Sequence, residues 1–167
     1  MDLFVFGALL VGGMAAGISG MLFQPGDWYK ALRKPTWTPA PIVFPIVWTT
    51  LYVLMALAGS WVAGRPGADA ALALMAAQLA VNVLWTPLFF GLHRVRIGLG
   101  VIGLLWLLVL TMIIVFWRID WLSGLILVPY ILWLTLAAAL NFMVVRLNPF
   151  IVPIDPSQLR VGESGGR

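Results

Sequence analysis

The chain has 167 residues, of which 62 % are hydrophobic and only 10 % charged, with a mean hydropathy of +1.03. A soluble domain carries roughly 25 % charged residues, and a fold of this size has too much surface to leave so little of it polar. The composition therefore excludes a soluble globular domain and predicts a membrane protein with several spans. The net charge of +4 comes from scattered basic residues, so it gives no argument for nucleic-acid binding.

Five apolar segments are long enough to cross a bilayer, because a spanning helix needs about 20 mostly apolar residues. They predict an all-α integral membrane protein, a bundle of five transmembrane helices in a single domain. The predicted spans cover about residues 3–23, 42–63, 68–92, 97–117 and 121–147. The tail, residues 148–167, is predicted to be mobile because it combines prolines with glycine and serine.

The first span contains a GxxxG pair, Gly13 and Gly17. Such small-residue ridges let helices approach closely in lipid. We interpret this ridge as packing within the bundle, with a dimer face as the alternative. A second small-residue face lies on the third span, and it predicts a homodimer through that helix; its members are Ala73, Ala76, Ala77 and Ala80.

The longest connection, residues 24–41, has the composition of a lid. Its four prolines prevent a continuous helix and stiffen the segment. Its large apolar side chains predict that it folds down onto the bundle; these are Trp28, Tyr29, Leu32 and Trp37.

Basic residues predict the orientation in the membrane. The first loop carries three, the third loop two, and the C-terminal side three, whereas the opposite side has only Arg65 and Arg118. The positive-inside rule then places the N-terminus outside, with the lid loop and the C-terminus in the cytoplasm.

The chain offers little conventional chemistry within its spans. None of the six acidic residues lies deep within a predicted span, the single histidine is His93 at a span end, and there is no cysteine. We therefore predict no proton-carrying carboxylate, no metal site and no catalytic triad.

Mild polar and aromatic side chains remain on three helix faces. Gln78, Asn82 and Thr86 repeat every four residues and so share one face. The stripe indicates either interhelical hydrogen bonds or a polar patch in an aromatic pocket. Aromatic or small residues also line one face of the second and fifth spans, which suits a flat apolar ligand between helices; they are Phe44, Trp48, Tyr52, Trp133, Ala137, Leu140 and Asn141.

These residues resemble the signature of the translocator protein family, TspO/MBR, also called tryptophan-rich sensory proteins or peripheral benzodiazepine receptors. The lid loop carries Trp28-Tyr29 and the run from Lys34-Pro35 through Trp37 to Pro39, which is similar to the family's first loop. Further matches occur in order along nearly the whole chain. They are Val47-Trp48-Thr49, Leu51-Tyr52, Gln78-Leu79-Ala80, Asn82, Trp85, Phe89-Phe90-Gly91, Pro129-Tyr130, Trp133 and Leu140-Asn141-Phe142.

The resemblance implies a bacterial five-helix protein, usually a homodimer, that needs no cofactor. Its implied ligands are tetrapyrroles such as protoporphyrin IX and haem, sterols, and synthetic benzodiazepine-type compounds. It implies a receptor or regulator; the alternatives are a transporter of tetrapyrroles or other amphipathic molecules and a slow light-dependent degradation of porphyrin. The last alternative would use Trp48 and Trp133. The ligand-binding residues that the resemblance implies are Trp48, Asn82, Phe89, Phe90, Leu104, Trp133, Ala137 and Leu140, under a lid with Trp28, Tyr29, Lys34, Pro35 and Trp37.

Two positions depart from the family pattern. The loop has Pro39-Ala40-Pro41 where the family often has adjacent prolines, and Phe142 stands where the proposed cholesterol motif has tyrosine.

Overall fold

The structure, a computed structural model, describes residues 1–23 and 25–153. Five helical segments of these residues are long and apolar enough to cross a membrane, which confirms the predicted five-helix membrane fold. Two short helices and one π-helical turn complete the described chain. The elements are α1 (Leu3–Leu22), α2 (Asp27–Ala31), α3 (Val43–Val62), α4 (Ala68–Thr86), the π turn (Pro87–Gly91), α5 (Val95–Ile119), α6 (Trp121–Leu125) and α7 (Val128–Leu147).

Capping groups and prolines determine where several helices begin and end. The Asp2 carboxylate accepts a hydrogen bond from Val5 N at 3.0 Å and caps α1. Asp120 caps α6 in the same way, by accepting from Ser123 N at 2.9 Å. Pro129 lies in the first turn of α7, where its missing N–H costs little. The fifth span covers Trp121–Leu147, the range predicted for it, and is divided into the two helices α6 and α7.

The fourth span is longer than its predicted range of 97–117, because α5 extends from Val95 to Ile119. One face of α5 forms the centre of the core; its buried residues include Ile102, Leu105, Val109, Met112 and Phe116. Helix α5 packs against both α4 and α7. The first helix is peripheral and contacts only α3 and α4 extensively.

The connections gather at two opposite ends of the bundle. At one end, Asp2 N donates to Ser60 O at 2.9 Å, and Arg65 pairs with Asp120 at 2.9 Å. Hydrogen bonds from Ser123 and the nearby Arg65 lower the pKa of the Asp120 carboxyl. The loop 25–41, the α4–α5 turn and the end of α7 meet at the other end, which we call the lid end.

The glycine pair of α1 is used inside the bundle. Gly13 is buried, and a Cβ built there would lie 2.8 Å from Cβ and Cγ of Tyr52 on α3. A Cβ built at Gly17 would lie 3.6 Å from Cε2 of Tyr52, an ordinary van der Waals contact. Close approach of α1 to α3 therefore requires glycine at residue 13.

Candidate functional site

Aromatic side chains from several helices surround a small internal void in the lid-side half of the bundle. The void is about 30 Å³ in volume, which is enough for a water molecule. We call it the inner cavity. Its walls come from α3 (Phe44, Trp48), α4 (Asn82, Trp85), α5 (Ile102, Leu105) and α7 (Trp133, Leu134, Ala137).

The aromatic rings of these walls also contact one another. Phe44 and Trp133 meet edge to face with centroids 5.4 Å apart, which connects α3 to α7. Trp48 stacks on Tyr52 at 5.7 Å and meets the ring edge of Tyr130 at 6.0 Å. Trp48 and Trp133 thus line the same cavity, with Asn82 beside them.

The polar stripe of α4 divides into a structural and a cavity-lining residue. Gln78 is fully buried, accepts from the Tyr130 hydroxyl at 2.8 Å, and lies with Nε2 3.1 Å from Met55 Sδ. Asn82 donates to the Tyr52 hydroxyl at 3.3 Å and also lines the cavity. Gln78 therefore fits only the interpretation as an interhelical hydrogen bond. Asn82 fits both that interpretation and the interpretation as a polar patch of the pocket.

Trp133 is the most unusual member of the cavity wall. Its side chain is 8 % exposed, and its Nε1–H has no acceptor among the described residues. A buried donor without an acceptor costs about 1–3 kcal/mol. A ligand or water that brings an acceptor to this indole would recover that cost.

The lid forms a second aromatic cluster beyond the inner cavity. Trp28 and Tyr29 on α2 contact the ring edges of Phe89 at 6.2 and 6.3 Å. Tyr29 also meets Phe90 at 5.2 Å, and its burial raises the pKa of its hydroxyl. Phe89 stacks on Trp85 at 5.0 Å, so Trp85 connects the lid cluster to the cavity wall.

One aromatic stack and two hydrogen bonds hold the lid against the bundle. Trp28 stacks on His93 with centroids 3.8 Å apart and an interplanar angle of 2°. Partial burial lowers the pKa of the His93 imidazole. Asn148 accepts from Arg33 N at 2.9 Å and donates to Arg33 O at 2.8 Å, joining positions 115 residues apart.

The three basic side chains of the lid differ in the contacts that they make. Lys30 pairs with Asp27 at 2.8 Å. Lys34 donates to Tyr29 O at 2.6 Å and lies 4.2 Å from the centroid of the Tyr29 ring. Both lysines therefore contact residues of α2, and Lys30 and Arg33 are the exposed cations of the loop, whereas Lys34 is partly buried.

Several predicted site residues lie outside the inner cavity. Leu104 is 51 % exposed on the outer face of α5, because Ile102 and Leu105 occupy the inward face. Phe89 and Phe90 belong to the lid cluster, and Leu140 is half-buried away from the cavity lining.

The lid packs onto the bundle as predicted over its first half but not at Trp37. Trp37 is 47 % exposed, whereas Trp28, Tyr29 and Leu32 pack down as predicted. Pro35 forms a turn in which its carbonyl accepts from Thr38 N at 3.1 Å. Asn148 was assigned to the mobile tail, yet it is tied to Arg33; residues 154–167 lie outside the described part of the chain.

Sequence reasoning missed Ile102, Leu105 and Leu134 in the wall and Asn148 at the lid. The three-residue spacing of Ile102 and Leu105 on one helix face was an available signal for the wall. No local pattern distinguishes Asn148, because its partner is distant in sequence.

The fold and this arrangement define a class: a five-helix integral membrane protein with an aromatic internal cavity and a fastened loop at one end. Residues 4–147 match the model of the TspO/MBR family, and the chain belongs to that family. It is 49 % identical to Protein CrtK of Rhodobacter capsulatus over 92 % of this chain and 99 % of the relative. It is 45 % identical to the tryptophan-rich sensory protein of Cereibacter sphaeroides over 89 % of this chain and 94 % of the relative. The human translocator protein is 32 % identical over 77 % of this chain and 81 % of its own length.

Proposed function

We propose that this protein is a membrane receptor or regulator that binds porphyrin-type tetrapyrroles, such as protoporphyrin IX and haem, through its inner cavity. The observation that carries the proposal is the meeting of Phe44, Trp48, Trp85 and Trp133 around one void beside Asn82. A porphyrin offers a wide apolar face that stacks on indole, worth about 1 kcal/mol per aromatic pair beyond area burial. Family membership supports the same ligand class.

The carboxylates of a porphyrin need water or cations. Arg33 is exposed at the lid end, Arg94 lies in the adjacent α4–α5 connection, and Arg96 is exposed in the first turn of α5. The lysines of the lid are already engaged within it. We therefore orient the ligand with its acidic edge toward the lid end and assign its cationic partners to these arginines.

Quenching of tryptophan fluorescence by protoporphyrin IX, with the protein in lipid nanodiscs, tests the proposal. We expect saturable quenching by the wild type and a large loss of affinity in Ala137→Leu, because the added side chain fills the cavity. Ala139→Leu is the matched control, since Ala139 is exposed on the same helix. Equal affinities of the two variants would place the ligand outside the inner cavity.

Light-dependent breakdown of the bound porphyrin is a second candidate function, supported by the position of Trp48 and Trp133 on one cavity wall. An excited porphyrin can take one electron from an indole, leaving a tryptophan radical cation and a porphyrin radical anion. Trp133→Phe keeps an aromatic ring that is harder to oxidise. We expect this variant to bind porphyrin but bleach it more slowly under illumination, and equal bleaching would overturn the candidate.

We further propose that the lid end faces the cytoplasm of a bacterium and that the N-terminus lies outside. The basic residues of the loop, the α4–α5 connection and the end of α7 support this orientation. A reporter fused after Arg167 should be active only as a cytoplasmic reporter. Periplasmic activity of that fusion would reverse the assignment.

A further inference from the structure

A second and larger space lies on the membrane-facing side of the bundle, between α3 and α7. This outer groove has a volume of about 400 Å³. Ile46 and Thr50 line it from α3, and Leu132 and Leu136 line it from α7. Ile46 and Leu132 are 59 % and 64 % exposed, so the groove opens toward the hydrocarbon of the bilayer.

The groove exists because α3 and α7 have their main packing partners elsewhere. Helix α3 packs against α1, α4 and α6, whereas α7 packs against α5. Across the gap, the Phe44–Trp133 ring contact joins the two helices near the lid end. The seam between α3 and α7 is therefore closed by side chains and not by close backbone packing.

Trp133 lines both the outer groove and the inner cavity. Ligand sites commonly measure about 300–1,000 Å³. The inner cavity of about 30 Å³ has aromatic walls but too little room, and the outer groove of about 400 Å³ has room. A rotation of the Trp133 side chain would join the two spaces. It would break the ring contact with Phe44 but no hydrogen bond of the indole N–H to the residues that the structure describes.

The alternative entry route, through the lid, requires several contacts to break together. The Trp28–His93 stack, the two Asn148–Arg33 hydrogen bonds and the apolar lid cluster would all be lost. Side-chain rotation needs no such collective opening.

We propose that Trp133 is a gate between the outer groove and the inner cavity, and that a porphyrin-type ligand dissolved in the bilayer enters between α3 and α7 while the lid stays closed. This inference rests on the proposed function. The groove walls carry no charge, and the Thr50 hydroxyl is satisfied by Ile46 O at 2.9 Å. The groove therefore accepts the apolar face of a flat tetrapyrrole during entry and does not hold its carboxylates.

The absence of cysteine from the whole sequence allows the groove to be blocked after folding. Thr50→Cys is labelled in detergent with a bulky apolar maleimide and reconstituted into nanodiscs. Thr111→Cys on α5 is the matched control, because Thr111 is also exposed and bonds the carbonyl four residues earlier at 2.9 Å. The rates of protoporphyrin IX association and dissociation are then measured by stopped-flow quenching.

We expect the label at Thr50→Cys to slow association and dissociation by at least about tenfold, a barrier increase of about 1.4 kcal/mol. Labelled Thr111→Cys and both unlabelled variants should retain wild-type rates. Asn148→Ala, which loosens the lid, should also leave association unchanged. Thr50→Phe provides a second block that needs no labelling, and thermal unfolding verifies that each variant is folded.

Three results would overturn the lateral route while leaving the proposed function intact. They are wild-type association in the blocked variant, faster association in Asn148→Ala, and a loss of affinity in the blocked variant without a change in association rate. The last result would make the groove part of the bound site instead of an entry path. Absence of saturable quenching in the wild type would overturn the proposed function itself, and the route with it.

Discussion

Gln78 and Asn82 lie one helical turn apart on α4 but have different roles. Gln78 is enclosed by Met55, Met75 and Tyr130, and its hydrogen bonds connect α4 to α3 and α7. Asn82 lies beside the void and retains contact with it. At the scale of single residues, access to the cavity distinguishes Asn82 from the enclosed Gln78, although both side chains are polar amides.

We expect lid closure to depend on pH through His93. Partial burial against Trp28 lowers the pKa of the imidazole from its ordinary value of 6.5, so the closed lid favours neutral His93. A lowered pKa contributes stability that is present above pH 6.5 and is lost as the pH falls through the lowered value. We expect the amides of α2 to exchange hydrogen faster, after correction for intrinsic rates, as the pH falls below 6.5.

The control for this pH dependence is His93→Asn. His93 has a φ of 54°, in the left-handed region that asparagine also tolerates. The variant should have a looser lid at every pH, because the stack is lost, but without the added loosening at low pH. Persistence of the same pH dependence in His93→Asn would assign it to another group.

At the scale of helices, the sequence predicts that a helical span exists far better than it predicts where the span is interrupted. The five apolar runs and the prolines could be read directly, since each run reaches the length of a span. Pro129 was visible within the last run, yet the α6–α7 break also depends on the tight packing of Gly124 against Trp117, where a Cβ would lie 2.8 Å from backbone atoms. That contact is tertiary and leaves no periodic signal.

The lack of a sequence signal for tertiary contacts also explains which residues of the candidate site could be predicted. Trp48, Asn82, Trp133 and Ala137 could be predicted because aromatic or small residues recur on helix faces, and they do line one cavity. The position of Leu104 outside this cavity depends on the rotation of α5 about its axis, which neighbouring leucines on every face leave open. The size of the cavity depends on how five helices pack together and was inaccessible to sequence reasoning.

Gly13 allows a direct test of how α1 packs. In Gly13→Ala the new methyl group would press on Cβ and Cγ of Tyr52, which lie too near the α3 backbone to move away. Overpacking of this kind costs about 1–3 kcal/mol, so we expect a lower midpoint of thermal unfolding in detergent. Gly20→Ala is the control, because no heavy atom lies within 4 Å of its added Cβ. Equal midpoints would show that α1 does not pack tightly on α3.

At the scale of the whole molecule, α4 presents a small-residue face that is exposed among residues 1–23 and 25–153. Ala73, Ala76, Ala77 and Ala80 are all exposed. The glycine ridge of α1, by contrast, is partly covered by the Tyr52 side chain of α3. Of the two small-residue faces that the sequence offers, α4 is therefore the one free to meet a second copy.

We predict that single cysteines at Ala73 and Ala77 form crosslinks between protomers in membranes. Close approach of two helices across small residues brings such positions within reach of a disulfide. The controls are cysteines at Thr111 on α5 and Met14 on α1, both exposed. Efficient crosslinking only at Met14 would move the dimer interface to α1.

The attachment of the lid to Asn148 has a consequence for biosynthesis. The lid emerges from the ribosome early, but its partner is translated 115 residues later, after the last turn of α7. Until α7 inserts, the nascent protein also lacks Trp133 and the acceptor that Asn141 offers to Trp85 Nε1 at 3.3 Å. A chain arrested before α7 therefore lacks both the acceptor of the Trp85 indole and the partner that holds the lid. Closure of the lid on Asn148 thus requires the end of α7 to have been synthesised.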